Sequence, residues 1–416
     1  MPVSPILSLP LASMPFVPAV AHAVASGQSA PLLCLFTDSL DPSGVGEHML
    51  DLACSLRGRW RVVFACPRGK RGDVFLERAR SCGLEVLAIE LDARGQPSTE
   101  QLRAWLRLNR CAVFHAHAGI GWEGHAAIYE AREAGCAIVR TEHLPYLITE
   151  PEQIENHRRL LSSVHRLICV SHAARDSFLE QGLDPTQIKA VCNGISLRQS
   201  SIDSQTARAN LRCELELPED APLLLTIGRF TEQKGHAFLL RALPLLDELQ
   251  ERQGRGGQAR LLWVGQGCGR EALEEEARAM GLGERVLFLG QREDVPFLLR
   301  GADAFVLPSL FEGLPLVALE AMASEVPLVG TRVCGTEEAI GSEECGWLVP
   351  PRDPRALALA LAQVLEHPQE AARRAQNAAR RVREGFTAAR MAQETDAVYR
   401  EALELRERFK VLEGVG

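Results

Sequence analysis

Ala304-Phe-Val-Leu-Pro-Ser309 and, directly after it, Glu312-Gly-Leu-Pro-Leu-Val-Ala-Leu-Glu320 form the stretch from which the fold can be read. The first run is short and apolar and reads as a buried strand. The second opens a helix, with Pro315 expected at the first helical position, where a missing N–H is harmless. Glu312 then sits on the tight turn above the strand, with Glu320 about two turns into the helix. Glycine and proline between the acids let the backbone approach a ligand and leave helix N–H groups pointing outward. Carboxylates accept hydrogen bonds from sugar hydroxyls, and helix amides bind phosphate. A nucleotide sugar carries both groups.

The same alternation extends in both directions. Pro31-Leu-Leu-Cys-Leu-Phe36, Arg61-Val-Val-Phe-Ala65, Val86-Leu-Ala-Ile89, Ala112-Val-Phe-His115, Ala137-Ile-Val-Arg140, Leu167-Ile-Cys-Val170 and Lys189-Ala-Val-Cys192 are short strand-like runs, most of them separated by helical segments. After a polar, serine-rich stretch the pattern restarts with Leu223–Ile227, Arg260–Val264, Val286–Leu289, Ala304–Leu307, Pro327–Val329 and Trp347–Val349. Such alternation predicts an α/β fold with parallel sheets covered on both faces. The expected organisation is an extension over 1–30, a first domain over 31–195, a linker over 196–221, a second domain over 222–385 and a terminal helix over 386–416. Residues 354–412 read as helical throughout. Two doubly wound, Rossmann-like domains facing each other enclose a cleft, lined by the loops at the carboxyl ends of their strands.

A second constellation follows the strand Leu223–Ile227: Gly228-Arg229, then Lys234-Gly235. Cations at the carboxyl end of such a strand stand where these sheets bind ligands. Arginine binds two phosphate oxygens at once, and lysine adds a point charge. A surface ion pair is the plain alternative for the basic pair alone, and a solvated helix face is the plain alternative for the acids alone. Their joint occurrence in this order weakens both.

The bulk numbers narrow the field. A chain of 416 residues fits two domains of ordinary size. With 46% hydrophobic and 24% charged residues it is globular in composition, and a net charge of −8 argues against a general nucleic-acid binder. Twelve scattered cysteines without C-x-x-C spacing speak against a structural zinc site and suit a reducing cytoplasm. Residues 1–30 carry no Lys, Arg, Asp or Glu, and Pro5, Pro10, Pro15 and Pro18 would break any apolar helix. A disordered extension is expected there, with a secretory or tethering segment as the minority reading. No apolar run reaches membrane-spanning length. Arg373, Arg374, Arg380, Arg381 and Arg383 could face anionic lipid at a membrane surface, but a solvated helix balanced by Glu370 and Glu384 is preferred.

These residues resemble a known family. Gly228-Arg229-Phe-Thr-Glu-Gln-Lys234-Gly235, Phe288-Leu-Gly290, Ala302-Asp-Ala-Phe-Val-Leu-Pro308-Ser309, Glu312–Glu320 with Ala321-Met322-Ala323, Gly335-Thr-Glu-Glu338 and Gly346-Trp-Leu-Val-Pro350 are similar to the retaining glycosyltransferases of family 4, which have the GT-B fold. In the first half the likeness rests on Gly44-Val-Gly46, His115-Ala-His117, Val170-Ser171 and Asn193-Gly194-Ile195. The resemblance implies that Arg229 and Lys234 hold the donor diphosphate, that Glu320 binds the ribose hydroxyls and that Glu312 stands beside the transferred sugar. It places Gly313, Leu314, Pro315 and Leu316 in the loop around sugar and phosphate, and Gly290 and Arg292 beside the base. It sets His117 across the cleft as a positioning group, with the last helix crossing back to brace the cleft. Gly44 and Gly46 follow the first strand and open a helix, which suits a backbone loop approaching phosphate or acceptor, or equally a tight turn. Many members have Gly-Phe-Gly after the first acid; Gly-Leu-Pro here removes one backbone donor.

No Asp-x-Asp metal motif is present, so no metal cofactor is expected, and the basic pair with helix amides would stabilise the leaving diphosphate. The expected activity is retaining transfer of a hexose-type sugar from a UDP or GDP sugar to a saccharide, lipid-linked or small-molecule hydroxyl, by a monomer or weak homodimer in the cytoplasm. An epimerase of the same fold and an inactive binding protein are the alternatives. His115 and His117 share one strand face, and read most simply as a partly buried, hydrogen-bonded pair. A zinc site of His115, His117 and His125 has no second cluster to support it.

Overall fold

The computed structural model describes residues 30–119, 121–197, 203–252 and 258–413. The extension expected over 1–30 lies outside them, Ala30 excepted, as do residues 253–257 and residues 198–202 of the serine-rich stretch. In the first half the order is β1 (Leu32–Phe36), α1 (Ser43–Leu56), β2 (Arg61–Pro67), α2 (Gly72–Ser81), β3 (Glu85–Ile89), α3 (Thr99–Asn109), β4 (Val113–Ala118), α4 (His125–Glu133), β5 (Ala137–Glu142), α5 (Pro151–Leu161), β6 (Arg166–Cys169), α6 (His172–Leu179) and β7 (Ile188–Ala190). The second half runs α7 (Ser204–Glu214), β8 (Leu223–Ile227), α8 (His236–Arg252), β9 (Arg260–Val264), α9 (Arg270–Ala279), β10 (Val286–Gly290), α10 (Val295–Gly301), β11 (Ala304–Leu307), α11 (Leu316–Ala323), β12 (Leu328–Thr331), α12 (Cys334–Ile340) and β13 (Trp347–Val349). Three helices follow: α13 (Pro354–Glu366), α14 (Pro368–Gly385) and α15 (Ala388–Glu413).

The strands form two parallel sheets, ordered β3-β2-β1-β4-β5-β6-β7 and β10-β9-β8-β11-β12-β13. Every residue of β1, β4 and β11 is buried. Helices cover both faces, which is why these strands are continuously apolar instead of alternating. In each sheet the chain direction of winding reverses once, between β1 and β4 and between β8 and β11. Parallel sheets leave a crevice at such a switch point, where the two flanking loops part in opposite directions. The loops after β8 and β11 carry Arg229, Lys234 and Glu312.

Several details differ from the sequence reading. Pro315 is the cap preceding α11, with φ −70° and ψ 116°, so Leu316 and not Pro315 is the first helical residue and Glu320 lies in the second turn. The terminal stretch is not one continuous helix. His367, extended ahead of Pro368, separates α13 from α14, as steric crowding before proline requires. Phe386 and Thr387 separate α14 from α15, where Ile195 bridges to Thr387. Within the stretch expected as a linker, α7 packs on α10: Leu211 fills the space beside Gly301, and Arg212 and Arg208 both pair with Asp303.

α15 lies on the first domain. Met391, Val398, Tyr399 and Ala402 join the core beneath α1, and Trp60 Nε1 donates to Asp396 Oδ1 at 2.7 Å. The arginines of α14 are engaged internally. Arg373 and Arg374 pair with Glu370, Arg381 donates to the carbonyls of Glu338 and Ala339, and Arg383 pairs with Glu325. This favours the balanced helix over a lipid-facing one. No helix among the described residues is long and apolar enough to cross a membrane.

Candidate active site

The site is built around Glu312. The β11 strand ends at Leu307, and the chain turns through Ser309 into the loop that carries the acid. Glu312 is only 4% exposed. Lys234 Nζ lies 2.5 Å from its Oε1, and Ser309 Oγ donates to the same oxygen at 2.7 Å. Lys234 reaches it from a single 3₁₀ turn, Glu232–Lys234, that follows β8. Gly235 makes this approach achievable. It sits at φ 63°, and a Cβ there would overlap the Pro308 carbonyl oxygen. Only glycine lets the turn lie this close to the end of β11. The Lys234 stem runs over Gly228, while Arg229 is exposed and has no ion pair among the described residues. The arrangement pairs one cation, Lys234, with a buried carboxylate just before the first-turn amides of α11, and leaves Arg229 exposed on the neighbouring β8 loop.

The opposite wall comes from the first domain. His117 ends β4, and its Nδ1 lies 3.2 Å from Nε2 of His143, just past β5. His48 of α1 packs against both rings, with centroids 5.2 Å and 4.7 Å away. Burial pushes the pKa of all three well below the usual imidazole range, His48 to about 4, so the cluster is neutral. His115, its ring tilted against that of His117 with centroids 4.0 Å apart, spends both nitrogens on Tyr399 and Thr141 at 2.7 Å each. His125 is turned away and bonds the Gly121 carbonyl. The two walls touch. Asn193 Nδ2 donates to the Leu314 carbonyl at 2.8 Å, and its Oδ1 lies 2.9 Å from His48 Nδ1. Gly313 comes so close to the His143 carbonyl that a Cβ would overlap it.

Two family models match this chain: one for group 1 glycosyl transferases over residues 207–382, and one for glycosyltransferase family 4 over residues 42–199. An uncharacterized glycosyltransferase of Methanocaldococcus jannaschii is 33% identical over 222 residues, 53% of this chain and 55% of its own length. The D-inositol 3-phosphate glycosyltransferase of Kineococcus radiotolerans is 30% identical over 270 residues, 61% of either chain. The chain thus spans somewhat over half the length of these curated relatives. The crystal structure of Anabaena HepE in complex with UDP-glucose superposes with a TM-score of 0.74 at 20% identity, over 89% of this chain and 99% of that one.

Both halves of the chain thus match glycosyltransferase family models, a family 4 model the first half and a group 1 model the second. Its architecture is GT-B, two Rossmann-like sheets facing one cleft.

The residues singled out from sequence fall into two groups. Arg229, Lys234, Glu312, Gly313, Leu314, Pro315 and Leu316 converge at one switch point, and His117 stands on the wall that Gly313 and Leu314 touch. Glu320 is half-buried on α11. The others are placed differently. Gly46 is not an open loop donor: its amide bonds the Pro42 carbonyl inside α1, and a Cβ there would meet the Phe75 ring at 2.7 Å. It is a packing glycine between α1 and α2. Arg292 pairs with both oxygens of Asp294 and with Glu214, so its charge ties α7 to the loop after β10. Gly290, at φ 68°, ends β10 and accepts the Gly265 amide at 2.7 Å.

Sequence reasoning passed over several contributors. Gly265 and Gly267 pack backbone to backbone against Gly228 and Phe230, buttressing the loop that carries Arg229. The run Gly265-Gln-Gly267-Cys-Gly269 between β9 and α9 was the available signal. Ser309, which orients Glu312, carried no signal beyond its position at the strand end. Asn193 was visible only as part of a motif, and its bridging role needs both domains.

Proposed function

We propose that this chain transfers a sugar from a nucleoside-diphosphate sugar to a hydroxyl acceptor, with retention of configuration and without a metal cofactor. The observation that carries the reading is the convergence of Lys234, Glu312 and Ser309 at the β8/β11 switch point, directly opposite a neutral histidine wall. In this reading Arg229 and Lys234 clasp the diphosphate. Lys234 exchanges its Glu312 partner for a phosphate oxygen, and the α11 amides from Leu316 onward face the same phosphate. Glu320 accepts from the ribose hydroxyls, Gly290 and Arg292 lie on the base side, and His117 Nε2 faces the sugar. The HepE complexes with UDP and UDP-glucose favour a UDP sugar as the donor.

As the C–O bond to the diphosphate breaks, charge develops on the leaving phosphate and on the sugar ring. The two cations stabilise the first and Glu312 the second. The acceptor proton passes to the departing phosphate on the same face, so Glu312 orients and stabilises and is not a nucleophile. The test is incubation of the EDTA-treated protein with UDP-glucose, GDP-mannose and a panel of hydroxyl acceptors, with NMR of the product anomer. A retained anomeric linkage formed in EDTA is expected. An inverted product, a requirement for magnesium or manganese, or a glycosyl adduct trapped on Glu312 would each overturn its part of the mechanism. Epimerised donor without transfer would mark the reaction class as wrong.

A further inference from the structure

Three imidazoles from three separate elements meet on the first-domain wall: His48 on α1, His117 on β4 and His143 past β5. One nitrogen of each lies within 4.8 Å of those of the other two. We propose that this trio is a binding site for a borderline divalent transition ion of the zinc class, and that occupancy, by taking His117 Nδ1, fixes the hydrogen on the sugar-facing Nε2 and so inhibits the enzyme. The binding site stands by itself; only the inhibition rests on the function proposed above.

The spacing suits such an ion. A tetrahedral zinc with nitrogen ligands at about 2.0–2.1 Å sets its donors about 3.3 Å apart. His117 Nδ1 and His143 Nε2 already stand 3.2 Å apart. The hydrogen-bond accounting points the same way. Asn193 Nδ2 donates to Leu314, so its Oδ1 is the acceptor and His48 Nδ1 carries the hydrogen. That leaves His48 Nε2 with its lone pair, the arrangement of a metal-ligating histidine held by an amide oxygen behind it. Two neutral imidazoles in N···N contact share one proton, so His117 Nδ1 and His143 Nε2 between them keep a lone pair for an ion. His115 is excluded as a ligand because both its nitrogens are satisfied. All three donors are imidazole, with no oxygen ligand in the set. This selects zinc, cobalt or nickel over magnesium or calcium. Three protein ligands leave a fourth coordination position open.

The experiment uses the full chain stripped with EDTA. Cobalt(II) is titrated while the visible d–d bands of four-coordinate cobalt are followed, and zinc affinity is read by competition with a chromophoric chelator. One equivalent per chain is expected, undisturbed by excess magnesium. His48→Gln and His143→Gln should each lose the cobalt bands. Asn193→Ala should weaken zinc binding about 10–100-fold. His172→Gln should leave it intact, because His172 belongs to a separate cluster with Cys192 and Glu338. X-ray absorption on the zinc-loaded wild type needs no variant and should count three imidazoles. No cobalt spectrum, fewer than three imidazoles, or uptake unchanged in both glutamine variants would overturn the site. Zinc bound at the trio without loss of glycosyl transfer would overturn the inhibition alone.

Discussion

Lys234 and Glu312 are 78 positions apart in sequence and share one of the few buried ion pairs at the cleft. Their side chains are 15% and 5% exposed. Burying two charges is costly, and removing one partner leaves the other uncompensated. Lys234→Met should therefore lower stability by about 3–5 kcal/mol in urea denaturation. The double variant Lys234→Met/Glu312→Gln should recover most of that loss without recovering turnover. Equal losses in the single and double variants would show that the pair contributes nothing to stability. For catalysis, loss of the Lys234 charge should cost on the order of 10²-fold in kcat. Chemistry of this kind was legible from residue type and order: a basic pair after one strand, an acid after another. Their direct pairing was not, because it depends on β8 lying beside β11.

At the level of elements, the turn from β8 into α8 concentrates the constraints. Gly235 holds a left-handed backbone against Pro308, so Gly235→Ala should destabilise by about 1–3 kcal/mol and lower kcat by displacing Lys234. The next residue, His236, opens α8 and is 2% exposed between Phe230 and Trp263. Both its ring nitrogens lack partners. Burial first, and the Lys234 charge second, lower its pKa from 6.5 to about 3. Between these values the unfolded chain binds a proton that the folded chain refuses. This contribution to stability is thus intact above pH 6.5 and declines as the pH falls through the window, by up to about 1.4 kcal/mol per pH unit. His236→Phe should flatten the acid limb of stability against pH; an unchanged slope would mean that His236 is protonated in the fold. Strand positions were readable throughout, since parallel strands buried on both faces are apolar runs. Helix boundaries were less so. Pro315 occupies the position before α11, and Pro368 and the Ile195–Thr387 bridge divide the last segment in three.

At the scale of the whole molecule, the two domains are held by side chains that no local pattern announces. Glu338 of α12 accepts the amides of His172 and Ala173 at the start of α6, Asn193 reaches Leu314, and α15 returns across the first sheet. Tyr399 Oη lies 2.7 Å from His115 Nδ1, which fixes the imidazole tilted against that of His117. Tyr399→Phe should cost about 1–3 kcal/mol in chemical denaturation, through the unsatisfied nitrogen it leaves. A donor nucleotide sugar gripped across the cleft should stabilise the fold by about 2.7 kcal/mol at a hundred times its Kd, read as a rise in Tm; no shift with any UDP or GDP sugar would leave the cleft without its donor. The amino-acid sequence by itself determined the fold class, the two parallel sheets and the basic and acidic character of the loops after β8 and β11. Apolar runs, glycine turns and caps act through near neighbours, and near neighbours are what a sequence displays. Tertiary structure alone decided that Lys234 meets Glu312, that Arg292 pairs with Asp294 and Glu214, that Gly46 packs against Phe75, and that His48, His117 and His143 converge with Asn193 behind them. Those meetings follow from strand order and from α15 docking, which join residues 26 to 284 positions apart. No periodicity along the chain encodes such distances.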